Sequence, residues 1–225
     1  MVTACSDGNH RNEEENTASK SLVNNHLPIS VDTKGNLSTK DLAAFAKKID
    51  KVKILALGEQ THGAGSVFTL KTDLIKYLHQ NHGFDLLILE SGMYDVNEIV
   101  NNTNNGQSIK ALAPGNIFYM YANSAEVTPL FDYIDSSAKT TTPLTMVGFD
   151  SQHTGGLSIA GLVKDLNKAY EKSIVNAQHS SLSPSLLKQI QAVLEGKNTR
   201  FPIIEEQKYF TELDKLADNF KHSDN

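Results

Sequence analysis

Three short apolar runs in this chain each end on ionisable or small polar residues. Ile54-Leu55-Ala56-Leu57 leads into Gly58-Glu59-Gln60-Thr61-His62-Gly63. Leu86-Leu87-Ile88-Leu89 leads into Glu90-Ser91-Gly92, and Leu144-Thr145-Met146-Val147-Gly148-Phe149 leads into Asp150. Short apolar runs bounded by glycine and polar residues read as buried strands. We therefore expect strands over about 53–57, 85–89 and 144–149.

Between and around these runs the apolar spacing changes to three and four. Leu42, Phe45 and Ile49 follow a Ser38 cap signal with Asp41 three residues on, which predicts a short amphipathic helix. Apolar residues at 67, 70, 74 and 78 predict a helix over 66–80, closed by Asn81-His82 with Gly83 just past its end. A helical segment is expected over 93–101, a polar turn over 101–106, and a helix over 124–138 with Pro129 predicting a kink. After Asp150 only helical patterning remains, over 157–170, 183–194 and 204–220, with Ser183-Pro184 as a helix start. The order strand–helix–strand–helix–strand predicts an α/β fold: a parallel sheet with flanking helices and right-handed crossovers, followed by a helical C-terminal segment.

Composition narrows the class. The 225 residues suffice for a full core, and residues 29–225 read as one α/β domain. Residues 1–28 have no periodic apolar pattern and are expected to form a disordered N-terminal tether. The net charge is −5, with Lys and Arg scattered rather than blocked, so no nucleic-acid partner is expected. The single cysteine, Cys5, excludes an internal disulfide framework and a cysteine-based zinc site. Val2-Thr3-Ala4-Cys5 is similar to a bacterial lipobox, which would place a membrane tether through a lipid on Cys5 and locate the protein at the cell envelope. The basic and apolar parts of a signal peptide do not accompany it, which leaves a cytoplasmic location as the alternative.

The chemistry concentrates at the C-terminal ends of the expected strands, where ligands bind in open α/β sheets. His62, with Glu59 three residues before it, is a candidate general base, because a nearby carboxylate raises and orients an imidazole. Alone, a histidine in a glycine-flanked loop reads equally as a surface residue. Glu90, one strand–helix–strand unit later, would face the same crevice; its competing role is a cap for the helix near Met93. Asp150 competes as a helix cap or loop anchor, and Lys71 as a solvated lysine. No HExxH or HxH spacing occurs, so no metal ligand set or cofactor is assigned, although a carboxylate-rich site could hold a divalent ion. The chain also lacks GxSxG, a Walker A sequence and GxGxxG. Hydrolysis here would use an activated water rather than a covalent serine or cysteine.

Leu57-Gly58-Glu59-Gln60-Thr61-His62-Gly63, then Phe68-Thr69-Leu70-Lys71, Gly83-Phe84 and Leu89-Glu90, resembles the erythromycin esterase family, which includes proteins labelled succinoglycan biosynthesis proteins. Met120-Tyr121-Ala122-Asn123-Ser124-Ala125-Glu126 and Val147-Gly148-Phe149-Asp150-Ser151-Gln152 are similar to two later blocks, so the resemblance covers about residues 40–155. It implies hydrolysis of a small-molecule ester or lactone by a water activated at His62, with Glu59 and Glu90 in support and Lys71, Asp150 and Glu126 lining the substrate site. Lys71 stands where some members carry arginine. Members are longer and contribute further histidine and arginine residues from a C-terminal half that is not found here, so the resemblance implies a partial family domain. A broader group with a GE-x-x-H motif, haem-binding lipoproteins of the ChaN kind and Tiki-like metalloproteases, supplies the alternative of a metal- or haem-binding envelope protein. A third reading, an interaction module with a decayed site, sits poorly with an intact Glu59, His62 and Glu90.

Overall fold

The computed structural model describes residues 26–32, 36–58, 61–173, 182–197 and 203–221. Residues 1–25 of the expected 1–28 tether, Cys5 among them, and Glu59 lie outside these residues. The chain divides into two compact units, Met1–Ala56 and Leu57–Asn225.

In the first unit an isolated antiparallel bridge joins Val31 to Leu37. The helix α1, Thr39–Lys48, follows with the expected cap: Ser38 Oγ accepts from Asp41 N at 3.3 Å. The Asp41 carboxylate in turn accepts from Ser30 N at 2.8 Å, and that bond holds its pKa below the usual carboxylate value.

The second unit is mixed α/β. Helix α2, Gly65–His82, is longer than expected and buries Phe68, Thr72, Leu74 and Leu78. Gly83 ends it in the left-handed region at φ 70°, which a Cβ would disfavour. Strand β1, Leu86–Gly92, runs into α3, Met93–Thr103. Two single-turn helices unforeseen in the sequence follow, α4 at Ile109–Leu112 and α5 at Tyr119–Ala122. Helix α6 spans Thr128–Ser137. Pro129 therefore sits in its first turn, where no intrahelical N–H is needed, and the expected kink does not occur. Strand β2, Thr145–Asp150, then pairs in parallel with β1.

The sheet has two strands rather than the three expected. Residues 54–58 make no ladder with another described strand, and Ile54 is 83% exposed. Four apolar residues record a preference for burial, but a strand also needs a neighbour to take its backbone hydrogen bonds.

One face of the sheet, with Leu87, Leu89 and Met146, packs on a core built from Phe68, Val96, Ile99, Ile109, Phe131 and Ile134. The other face is open: Leu86, Ile88 and Phe149 are 48%, 50% and 59% exposed. Parallel strands are ordinarily covered on both faces, so this is an unusual surface.

The helices α7, Gly156–Ser173, α8, Pro184–Leu194, and α9, Ile203–Lys221, form a second apolar cluster around Leu182, Leu186, Ile190 and Leu216. Ser183 caps α8 by accepting from Leu186 N at 3.1 Å, with Pro184 in the first turn, as the sequence predicts. Among the described residues no helix is long and apolar enough to cross a membrane.

Candidate functional site

The register between the strands breaks just where the site begins. Leu89 pairs with Gly148 and Gly92 pairs with Asp150, so β1 has two residues, Glu90 and Ser91, where β2 has only Phe149. This is a β-bulge, which re-aims side chains at the end of a strand. A Cβ on Gly148 would lie 2.6 Å from Ser91 O and 2.8 Å from Gly92 O, so glycine is what lets the bulged strand cross. Beyond the bulge the two strand ends open onto a cavity of about 480 Å³, lined among others by His62, Glu90, Asp95, Phe118, Tyr119 and Asp150.

The cavity wall is tied together from four directions. Ser91, buried on the core side of β1, accepts from Phe118 N at 3.0 Å through its Oγ. Phe118 in turn meets the His62 ring edge-on, with centroids 5.4 Å apart and planes at 60°, and stacks edge-on against Tyr121 at 5.1 Å. Asp95, in the first turn of α3, is 1% exposed; its Oδ1 accepts from Ser158 N at 2.8 Å. Asn116 Oδ1 accepts from Leu157 N at 2.9 Å, and Gly115 O accepts from Gly156 N at 2.9 Å. Three amides at the start of α7, which the helix itself cannot satisfy, are thus capped by the segment between β1 and β2. A Cβ on Gly155 would collide with the Asp95 carboxylate, so the chain must be bare there for α7 to enter. Asp150 Oδ1 accepts from Gln152 N at 2.9 Å and turns the chain after β2.

Of the sequence candidates, His62, Glu90 and Asp150 line this one cavity. Lys71 and Glu126 are not among its lining residues. Lys71 Nζ lies 5.8 Å from the Phe68 ring centroid. Glu126 is engaged at the start of α2: its Oε2 accepts from Ser124 Oγ at 2.8 Å, and its backbone O accepts from Thr72 Oγ1 at 3.0 Å. The Ser124 bond holds the Glu126 carboxyl below its ordinary pKa. A carboxylate beside the first turn of α2, which has no side-chain cap of its own, also complements the helix dipole. Glu59 falls outside the described residues. Among the described residues no three His, Cys, Asp or Glu side chains converge closely enough to hold a metal ion.

Asp95, Asn116 and Phe118 are lining residues that the sequence did not single out. Asp95 looks like any acidic residue in a first helical turn, and nothing in the pattern shows its burial. A faint signal for the other two was the Pro114-Gly115-Asn116-Ile117-Phe118 stretch, where apolar residues sit in a loop that ought to be polar.

A larger depression of about 1040 Å³ opens at the opposite ends of the strands, beside Asp85, Thr145 and a His79 Nδ1–Tyr133 hydroxyl contact of 2.5 Å. It is walled largely by Ser136 to Thr142 hydroxyls and lies at the amino ends of the strands, away from the edge where α/β sheets bind ligands. The smaller cavity is therefore the candidate site.

No protein-family profile matches the chain. Over 117 residues it is 38% identical to a Bacillus subtilis (strain 168) protein named "Putative hydrolase YbfO", a match covering 52% of this chain and 26% of that protein. A crystal structure of a Bacillus cereus protein superimposes with a TM-score of 0.64 at 21% identity, covering 92% of this chain and 49% of that one. That likeness establishes a shared fold. The chain spans about a quarter of the curated relative and about half of the solved structure.

Proposed function

We infer that this chain is part of a hydrolase that cleaves an ester or lactone with a water activated at His62. The observation that carries the reading is that His62, Glu90 and Asp150 share one cavity at the carboxyl ends of two parallel strands. The 38% identity to a relative with a hydrolase name supports the coarse class, and the resemblance to the erythromycin esterase family supports the ester or lactone.

In this reading the neutral imidazole of His62 removes a proton as water oxygen bonds to the acyl carbon. The resulting imidazolium returns that proton to the leaving alkoxide as the acyl C–O bond breaks, giving a carboxylic acid and an alcohol. Glu90, with Glu59, orients the water and the ring. The edge-on contact with Phe118 supports one side of the imidazole, while the exposed ring stays open to the attacking water. Asp150 contacts substrate, and Lys71 acts from outside the cavity wall.

The test is hydrolysis of simple esters and lactones by the wild type and by His62→Ala. Removing a general base costs about 10²–10⁴-fold in rate, so the variant should lose at least that much while its circular dichroism is unchanged. Lys71→Ala should be the milder loss. Equal turnover by His62→Ala would remove this reading.

A further inference from the structure

We propose that Ser91 is a positioning residue: through the backbone amide of Phe118 it sets the segment that holds His62 at the cavity it shares with Glu90. The proposal rests on the ester-hydrolase reading for the reaction, and on separate observations for the support of the imidazole.

His62 needs such support. Its side chain is exposed, and the next residue, Gly63, stands in the left-handed region at φ 83°. An exposed side chain on a loop changes rotamer on a picosecond to nanosecond timescale unless its neighbours hold it. A general base displaced by about 1 Å loses up to about 100-fold in rate. The helix that follows, α2, starts without a side-chain cap of its own, so the loop takes its hold from elsewhere.

That hold comes from residues 118–126, which run alongside residues 62–72. The Phe118 ring meets the His62 ring edge-on at 5.4 Å. Met120 Sδ lies 3.8 Å from where a Cβ on Gly63 would be, and Glu126 Oε1 lies 2.8 Å from where a Cβ on Gly65 would be. Thr72 Oγ1 donates to Glu126 O at 3.0 Å. Tyr121 meets Phe118 edge-on at 5.1 Å and Phe68, buried in α2, at 5.7 Å. The segment therefore follows the catalytic loop from the imidazole into the first turns of α2.

Ser91 joins this segment to β1. Its side chain is 5% exposed, and its Oγ accepts from Phe118 N at 3.0 Å. The β-bulge sets Glu90 and Ser91 together opposite Phe149. Glu90 is left exposed at the cavity while Ser91 is buried against the Phe118 amide. One pair of adjacent residues thus supplies a carboxylate to the site and fixes the segment against which the imidazole rests. A buried amide that loses its acceptor has no water to replace it, so without the hydroxyl the segment must shift.

The experiment compares Ser91→Ala with Ser137→Ala. Ser137 is also 5% exposed, and its Oγ accepts from Leu144 N at 3.0 Å before the amino end of β2, so it is a matched loss of a buried serine–amide bond away from the site. The His62 ring resonances, assigned by their disappearance in His62→Ala, are followed by NMR in the full chain, and ester hydrolysis is measured on the same samples. Ser91→Ala should move the His62 resonances and lower kcat by about 10- to 100-fold with KM little changed. Ser137→Ala should move neither. Ser91→Thr, which keeps the acceptor oxygen, should restore both. If Ser91→Ala does not fold, Phe118→Leu decides the matter: it keeps the bond to Ser91, removes the ring beside His62, and should move the resonances and lower kcat alike. Unmoved His62 resonances in the folded Ser91→Ala variant would overturn the proposal, as would equal movement in Ser137→Ala. Moved resonances with unchanged kcat would overturn it while leaving the hydrolase reading standing. Moved resonances in a protein whose wild type cleaves no ester would uphold Ser91 as the residue that places His62 and remove the ester reading.

Discussion

At the scale of single residues, Gly148 is the position on which the site's framework depends most directly. Two carbonyl oxygens of the bulged strand approach within 2.6 and 2.8 Å of where its Cβ would be, and both belong to backbone that cannot rotate away. Gly148→Ala should destabilise the protein by about 1–3 kcal/mol, the usual penalty for forcing atoms into a packed region. A urea titration checks this, and a midpoint equal to wild type would mean that the bulge is softer than it looks. Glu126 offers a test of a different kind. Its pKa is lowered chiefly by the Ser124 hydroxyl, so the charged form is the one the folded state favours. The stabilisation is therefore present above the unfolded pKa of about 4.5 and is lost as pH falls through the lowered value. The stability advantage of wild type over Glu126→Gln should shrink as pH is taken from neutral to below that value, measured by thermal melts across the range. An advantage that does not change with pH would separate Glu126 from the Ser124 bond.

At the scale of elements, α7 is the clearest case of a helix whose start is decided elsewhere. Its first amides are held by Gly115, Asn116 and Asp95, each more than 40 positions earlier in the chain. Asn116 also donates from Nδ2 to Leu112 O at 2.7 Å, so one side chain joins the end of α4 to the start of α7. Asn116→Ala leaves both groups without their partner and should cost about 1–3 kcal/mol. It should also raise amide exchange at Leu157 selectively, which hydrogen-exchange NMR can read. Uniform exchange change along α7 would show instead that the helix loosens as a whole.

At the scale of the whole molecule, the notable feature is the open face of the two-stranded sheet. Leu86, Ile88 and Phe149 present apolar surface that parallel sheets usually keep covered, in a chain that spans about half of the solved structure sharing its fold. Residues 1–225 on their own should therefore bind a hydrophobic dye such as ANS at this face. Ile88→Lys with Phe149→Lys should lower that fluorescence without lowering the melting temperature, since neither side chain is in the core. Dye binding that is absent in wild type would show the face to be covered.

The sequence by itself determined the local structure and the positions of the chemistry. Helical spacing, the Ser38 and Ser183 caps and Gly83 depend on residues within a few positions of each other, and the described helices follow them. The apolar runs at 86–89 and 144–149 likewise announced both observed strands and the ionisable residues at their ends. What the sequence could not decide were matters of partnership. The run at 54–57 has the same apolar character as the others, but a strand exists only where another offers ladder hydrogen bonds. Pro129 is a kink or a start depending on where its helix begins, which α6 settles at Thr128. Asp95 and Asn116 became part of the cavity wall only because α7 returns to meet them. Tertiary structure alone decided which carboxylates share a cavity and which, like Glu126, serve the frame around it. Burial and charge compensation depend on residues far apart in the chain, and no local pattern records them.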